Sequence, residues 1–179
     1  MCYKLLSGYY HRLSPTASNV WVIHQQGGEW CHDKQSCLAR PSVLRSSSDW
    51  SMTRHVQGLF EATDHRLANA NLIYLPYCTS DAYLGSDVFV QDIGFHFNGR
   101  QVVTAVFGDL MQSHGMGSQP NTQILCSGCS AGGRGVLFNL EFVSDLVTQK
   151  IGENLFRFGG LLDSPLWLDF LLMHQLLSH

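Results

Sequence analysis

A chain of 179 residues, 45% apolar and 11% aromatic with five prolines, is long enough for one packed domain, too short for two, and not a disordered tail. Eleven Lys and Arg against fourteen Asp and Glu give a formal charge of −3 with no dense basic cluster, which argues against a nucleic-acid partner. Charged residues reach only 14%, against roughly 25% in an average soluble domain, a deficit that fits either a secreted protein or a fragment whose remainder would cover apolar surface, of which the fragment is favoured.

No run approaches the roughly 18 apolar residues that a membrane span needs, so no span is expected. The N-terminus, Met1 to Gly8, lacks the charged start and longer apolar core of a secretory signal, and export is not encoded in it. Asn19 to Gln26 is rich in β-branched and aromatic residues and reads as a buried strand ending at Gly27-Gly28. Pro41 to Gly58 is polar and Ser-rich, a long surface connection with one short helix. Asn71 to Tyr77 is a second strand. From Asn98 to Gln112, residues Val102, Val103, Val106, Phe107, Leu110 and Met111 follow the spacing of an amphipathic helix lying on a sheet.

Thr122 to Ser127 reads as a short strand, followed by Gly128-Cys129-Ser130-Ala131-Gly132 and a second helix with Val136, Leu137, Leu140, Val143 and Val147 on one face. Asn154 to Leu162 is a further strand, and Trp167 to Leu177 is apolar on nearly all sides. Strands alternating with amphipathic helices predict an α/β fold with a mostly parallel sheet.

Gly128 to Gly132 fits G-x-S-x-G where that pattern has mechanical meaning, between a strand and a helix. Gly128 and Gly132 let the backbone close a sharp turn that exposes the Ser130 hydroxyl and leaves the Ala131 N–H at a helix N-terminus, where an oxyanion would be stabilised. A second oxyanion donor should come from an earlier glycine-rich strand-end loop, which points to Gly28, with Gly27 shaping the turn. Cys126 and Cys129 also form C-x-x-C, but the pattern lacks the helix start of a redox site and the second ligand pair of a zinc site, so Cys126 reads as a strand cysteine and Cys129 as a packed residue of the elbow. The nine histidines show no i, i+4 pair or H-x-H, and no metal or cofactor is assigned. Arg134 reads as an exposed helix arginine.

With these residues the sequence resembles the pectin acetylesterase/Notum family of serine carboxylesterases over nearly its whole length. Cys2 followed by Gly8-Tyr9-Tyr10 is similar to the family's N-terminal Cys-x-Asp-Gly-Ser-Pro-x-Gly-Tyr-Tyr, and Gln26-Gly27-Gly28-Glu29-Trp30-Cys31 with Cys37 and Arg40 is similar to its Glu-Gly-Gly-x-Trp-Cys loop and following Cys-x-x-Arg. Pro76-Tyr77-Cys78-Thr79-Ser80-Asp81 resembles Pro-Tyr-Cys-Ser/Thr-x-Asp, and Phe97-Asn98-Gly99-Arg100 resembles a Phe-Arg-Gly helix start. Ser127 to Gly133 matches the nucleophile turn, and Leu162 to Asp169 resembles an Asp-Ser/Ala-Gly-x-Phe-Leu-Asp stretch. The resemblance implies an α/β-hydrolase-like fold, Ser130 as nucleophile, oxyanion N–H groups from Gly28 and Ala131, a Cys31–Cys37 disulfide and a Cys2–Cys78 disulfide.

Chain order in this fold is Ser, then Asp/Glu, then His, and the family's acid and base lie beyond the stretch matched by Asp163 to Asp169. Asp163 matches a motif aspartate that is not the triad acid, while His174 and His179 sit in a tail, residues 170–179, that does not match the family. The resemblance therefore implies that residues 1–169 are the N-terminal portion of an esterase domain lacking the triad Asp and His, inactive alone and secreted or cell-wall-bound by family. Two further departures are Pro165 in a glycine position and Glu29 where glycine or an aromatic is usual. The Gly-Cys-Ser elbow is more similar to the plant and microbial branch of the family than to the animal one, and that resemblance implies removal of acetyl groups from polysaccharide through a Ser130 acyl-enzyme. The alternatives are Notum-like removal of a fatty acyl group from a secreted protein, or a catalytically inactive remnant that only binds.

Overall fold

Runs of β-branched and aromatic residues bounded by glycine, proline or asparagine become the strands of this protein, and the two long amphipathic segments become helices. The computed structural model describes residues 8–61, 65–152 and 156–165. In chain order the elements are β1 (Tyr10–Arg12), β2 (Val20–Gln25), α1 (Lys34–Leu38), α2 (His65–Ala68), β3 (Asn71–Leu75), β4 (Val88–Val90), β5 (Phe95–Phe97), α3 (Gly99–Ser113), β6 (Thr122–Cys129), α4 (Ala131–Ile151) and β7 (Phe156–Asp163). Short 3-10 turns at Ser42–Leu44 and Gly58–Glu61 punctuate the connection between β2 and β3. Cys2 and the apolar stretch from Trp167 to Leu177 lie outside the described residues.

Among the described residues five strands form one sheet in the order β1-β3-β2-β6-β7, with β3, β2, β6 and β7 parallel and β1 antiparallel on the outer side of β3. This is the mostly parallel sheet and α/β-hydrolase-like class expected from the sequence. A separate hairpin pairs β4 with β5. Alternation along the strands sorts side chains to two faces. Trp21, Ile23, Ile73, Leu75, Ile124 and Cys126 meet Val102, Val103, Val106, Phe107 and Leu110 of α3 and Val136, Val143 and Val147 of α4. On the opposite face Val22 and Leu72 are covered by Leu59, Phe60 and Leu67 from the β2–β3 connection.

The helical stripe of α3 falls as the sequence predicts. On α4, Leu137 is 41% exposed rather than packed, and buried Asn139 takes a place in the stripe instead. Its amide donates to the carbonyls of Tyr83 and Gly135, both at 2.9 Å, and its Oδ1 accepts from Arg100 Nε at 3.0 Å. A polar side chain satisfied on three sides is stable in the core.

Two motifs that the sequence offers without a role explain each other here. The half-buried Asp81 carboxylate accepts from Tyr83 N, Gly85 N and Gly99 N at 2.8–3.0 Å, so it closes its own turn and caps the first N–H of α3. A Cβ on Gly99 would collide with Asp81 and the Tyr83 backbone. Burial raises the Asp81 pKa, and the hydrogen bonds from Thr79, Gly99, Gly85 and Tyr83 oppose that rise.

Candidate active site

The connection from β2 to β3 crosses one face of the sheet, whereas α3 and α4 cross the other, so the chain reverses its direction of winding between adjacent β2 and β6. Loops diverge at such a point and leave a crevice at the C-terminal strand ends. Gln25 of β2 lies opposite Gly128 of β6, which brings the Gly27-Gly28 loop and the Ser130 turn to the same end.

Ser130 sits between β6 and α4 with φ 55° and ψ −120°, a backbone conformation that non-glycine residues rarely adopt. Its N–H donates to the Asp163 carbonyl at 2.9 Å and its carbonyl accepts from Arg134 N at 3.0 Å, fixing the turn to β7 on one side and to the first turn of α4 on the other. A Cβ on Gly128 would strike the Gly132 backbone, and one on Gly132 would strike the Gln25 carbonyl. The two flanking glycines are thus contact requirements. At Gly27 a Cβ would lie 2.5 Å from the Cys129 carbonyl oxygen and 3.2 Å from Ser130 Cβ, so the loop after β2 rests directly on the serine turn. Ala131 is fully buried at the start of α4.

The loop itself is held at several points. Gly28 has φ 147°, and Glu29 follows with φ 57° and an exposed side chain. The Trp30 ring lies under the Arg134 guanidinium, 4.5 Å from Cζ to ring centroid, so Arg134 does more than face solvent. Cys31 N donates to the Ser80 carbonyl at 3.1 Å, and Cys31 is bonded to Cys37 as the family resemblance implies. Arg40 is buried and donates from Nη2 to the Gly28 carbonyl and from Nε to Ser80 Oγ at 3.2 Å. Cys78 is also disulfide-bonded, and its expected partner Cys2 lies outside the described residues.

Beneath the serine turn, on the face away from α4, lies a group that sequence reasoning missed. His24 Nδ1 and Ser127 Oγ are 2.9 Å apart, and the imidazole stacks on Tyr74 at 5.8 Å with Phe60 edge-on at 5.9 Å. Burial lowers the His24 pKa, and the nearby Asp163 charge pulls the other way. The only available signal was that both are polar residues in apolar strands, and their opposition follows from the β2–β6 register. The Cys129 thiol pKa is raised by burial and by Asp163, with which it shares a hydrogen bond, while Cys126 is buried in the core and pushed up to about 12. Both cysteines are free thiols, one in the core and one beside Asp163. Among the described residues no group of three or more His, Cys, Asp and Glu side chains is arranged to hold a metal ion, and no helix is long and apolar enough to cross a membrane. His174 and His179 lie outside the described residues.

A parallel sheet with a strained serine at the switch point, a glycine loop against it and a helix leaving from it defines an α/β-hydrolase-like protein. The pectinacetylesterase family profile matches residues 5–170, and the chain belongs to that family, whose members are carboxylesterases. Similar curated proteins include the palmitoleoyl-protein carboxylesterases notum2 of Xenopus laevis, 34% identical over 169 residues, and notum1a of Danio rerio, 32% identical over 169 residues. Human NOTUM is 31% identical over the same length. Each match covers 91% of this chain but only 33–34% of the relative, so the chain spans about a third of the length of these relatives. Among solved structures, the Wnt deacylase Notum from Drosophila superposes with a TM-score of 0.80 at 31% identity, covering 91% of this chain and 48% of that one.

Proposed function

We propose that this chain carries the nucleophile and the oxyanion donors of a serine carboxylesterase, with Ser130 forming the acyl-enzyme and the N–H groups of Gly28 and Ala131 stabilising the tetrahedral oxyanion. The observation that carries the reading is the strained Ser130 turn pressed against Gly27. Backbone donors fixed before reaction need no reorganisation when charge develops, which makes them effective in a closed site.

The reaction would proceed by attack of Ser130 Oγ on the ester carbonyl, collapse with loss of the alcohol, and hydrolysis of the acyl-serine by water. Attack needs a base to take the hydroxyl proton. Among the described residues no histidine hydrogen-bonds Ser130 Oγ, and His24 is engaged with Ser127. Sustained turnover is therefore assigned to a site completed by an acid and a base from outside the described residues, which themselves offer the contribution of the oxyanion donors. That contribution is about 10³–10⁴ over water in triad enzymes stripped of a catalytic member.

The substrate class favoured by the relatives' names is a fatty acyl ester on a protein, and the site of action is extracellular. A second reading, removal of acetyl groups from polysaccharide, is favoured by Glu29. An exposed carboxylate in the oxyanion loop suits a small acyl group better than a long alkyl chain, because packing the chain there would desolvate the charge. One experiment addresses both levels. The chain is incubated with short-alkyl and long-alkyl fluorophosphonates, and adducts are located by mass spectrometry. Slow modification confined to Ser130 and absent from Ser130→Ala is expected. Modification spread over many serines, or none at Ser130, would refute the esterase reading. Preference for the long alkyl probe favours the fatty acyl substrate, and preference for the short one favours acetyl.

A further inference from the structure

Arg40 is the one arginine in the buried polar set of the described residues, at 8% exposure. A guanidinium is rarely buried without a carboxylate to offset its desolvation. Its partners among the described residues are neutral: the Gly28 carbonyl, Ser80 Oγ, and the face of Tyr77 at 5.9 Å. The charge is thus spent on the backbone of the glycine assigned as an oxyanion donor.

We infer that Arg40 is a positioning residue for the oxyanion loop, fixing the Gly28 amide through the Gly28 carbonyl. This rests on the esterase reading above. The peptide unit that carries the Gly28 N–H joins Gly27 to Gly28 and is planar, so its direction is set by what holds each end. At the Gly27 end the chain lies against the Cys129 carbonyl and Ser130 Cβ, with no space for even a methyl group. At the Gly28 end the residue is in a conformation that glycine alone enters easily, φ 147°, and without a restraint it would sample many others. The Arg40 fork supplies that restraint.

Arg40 is itself held. Ser80, which accepts from Arg40 Nε, donates its hydroxyl to the Leu44 carbonyl at 2.9 Å and accepts the Cys31 N–H on its own carbonyl at 3.1 Å. Three loops, 26–31, 40–45 and 76–81, therefore meet on one guanidinium and one serine. A lysine would keep the charge but, as a single ammonium point, cannot reproduce the planar fork that reaches both Gly28 O and Ser80 Oγ. The cation also sits behind the peptide group beside the developing oxyanion, where positive charge is favourable.

The test compares the unaltered chain with Arg40→Lys and Arg40→Gln by amide hydrogen exchange and by the rate of Ser130 modification with a fluorophosphonate. The expected result is exchange across residues 27–30 at least about tenfold faster in both variants, and Ser130 modification slowed about tenfold or more, with exchange in β2, β6 and α4 unchanged. Removal of a whole oxyanion donor costs about 10²–10³, so displacement of one should fall at or below that range. Unchanged modification in Arg40→Lys overturns the proposal and leaves the esterase reading intact. Faster exchange throughout the core overturns it in favour of a general structural role. Absence of any Ser130 adduct in the unaltered chain overturns the esterase reading and this proposal with it.

Discussion

At Ser130 the backbone stores about 1–3 kcal/mol of conformational strain, and the residues around it show how that strain is sustained. Hydrogen bonds at both its N–H and its carbonyl, and close backbone contacts at Gly128 and Gly132, leave the turn no relaxed alternative. His24 supplies a second residue-scale consequence. Burial depresses its pKa from the ordinary 6.5, so the folded protein holds it neutral while the unfolded chain protonates it as pH falls. Its contribution to stability is complete above pH 6.5 and is lost as pH drops from there toward the depressed folded value. Denaturant unfolding at pH 7.5 and 5.5 should show a loss of stability that is smaller in His24→Phe. The glycines and Ser130 were legible because their spacing is itself the constraint. His24 with Ser127, and Arg40 with Gly28, were not, since each pair is made by strand register or loop packing across the chain.

The element that connects the oxyanion loop to the body of the protein is α1, a helix of only five residues. A helix so short does not stand on propensity. It is held by a capping box, in which Asp33 Oδ1 accepts from Ser36 N at 2.7 Å and Ser36 Oγ accepts from Asp33 N at 3.1 Å, and by the Cys31–Cys37 disulfide. Replacing both cysteines by serine should cost about 2 kcal/mol in denaturant unfolding, given the short loop that the bond closes. Peptide-level proteolysis should then cut first within residues 28–38. The long elements were readable in advance, α3 to within a residue at each end, because their apolar stripes are complete. The β4–β5 hairpin and β1 escaped notice. Each strand has three residues, half-buried or exposed, so none carries an alternating pattern long enough to distinguish from loop.

At the scale of the molecule, the described residues cover the two faces of the sheet unequally. Over β6 and β7, on the face away from α4, a groove of about 580 Å³ runs along Val20, Leu67, Leu125 and Gly159, and Leu161 beyond it is 49% exposed. β7 also ends the described sheet as an edge strand with one ladder partner. Bare edges and apolar faces pair with other chains. Sedimentation of the isolated chain should show association that grows with concentration, and a monomer across the micromolar range would count against this. The parallel sheet could be anticipated from alternating strands and helices, whereas the order β3-β2-β6 could not, since it depends on pairing between distant segments. That pairing also governs how the protein comes to exist. His24 and Ser127 stand 103 residues apart in the chain, and the glycine loop and serine turn are neighbours only once β2 and β6 have zipped together. Helices α3 and α4 are built from local contacts and are free to form early, but the catalytic crevice awaits one of the most sequence-distant contacts in the fold, whose loop-closure entropy makes it slow. During synthesis, the glycine loop leaves the ribosome about a hundred residues before the serine turn it is shaped to meet.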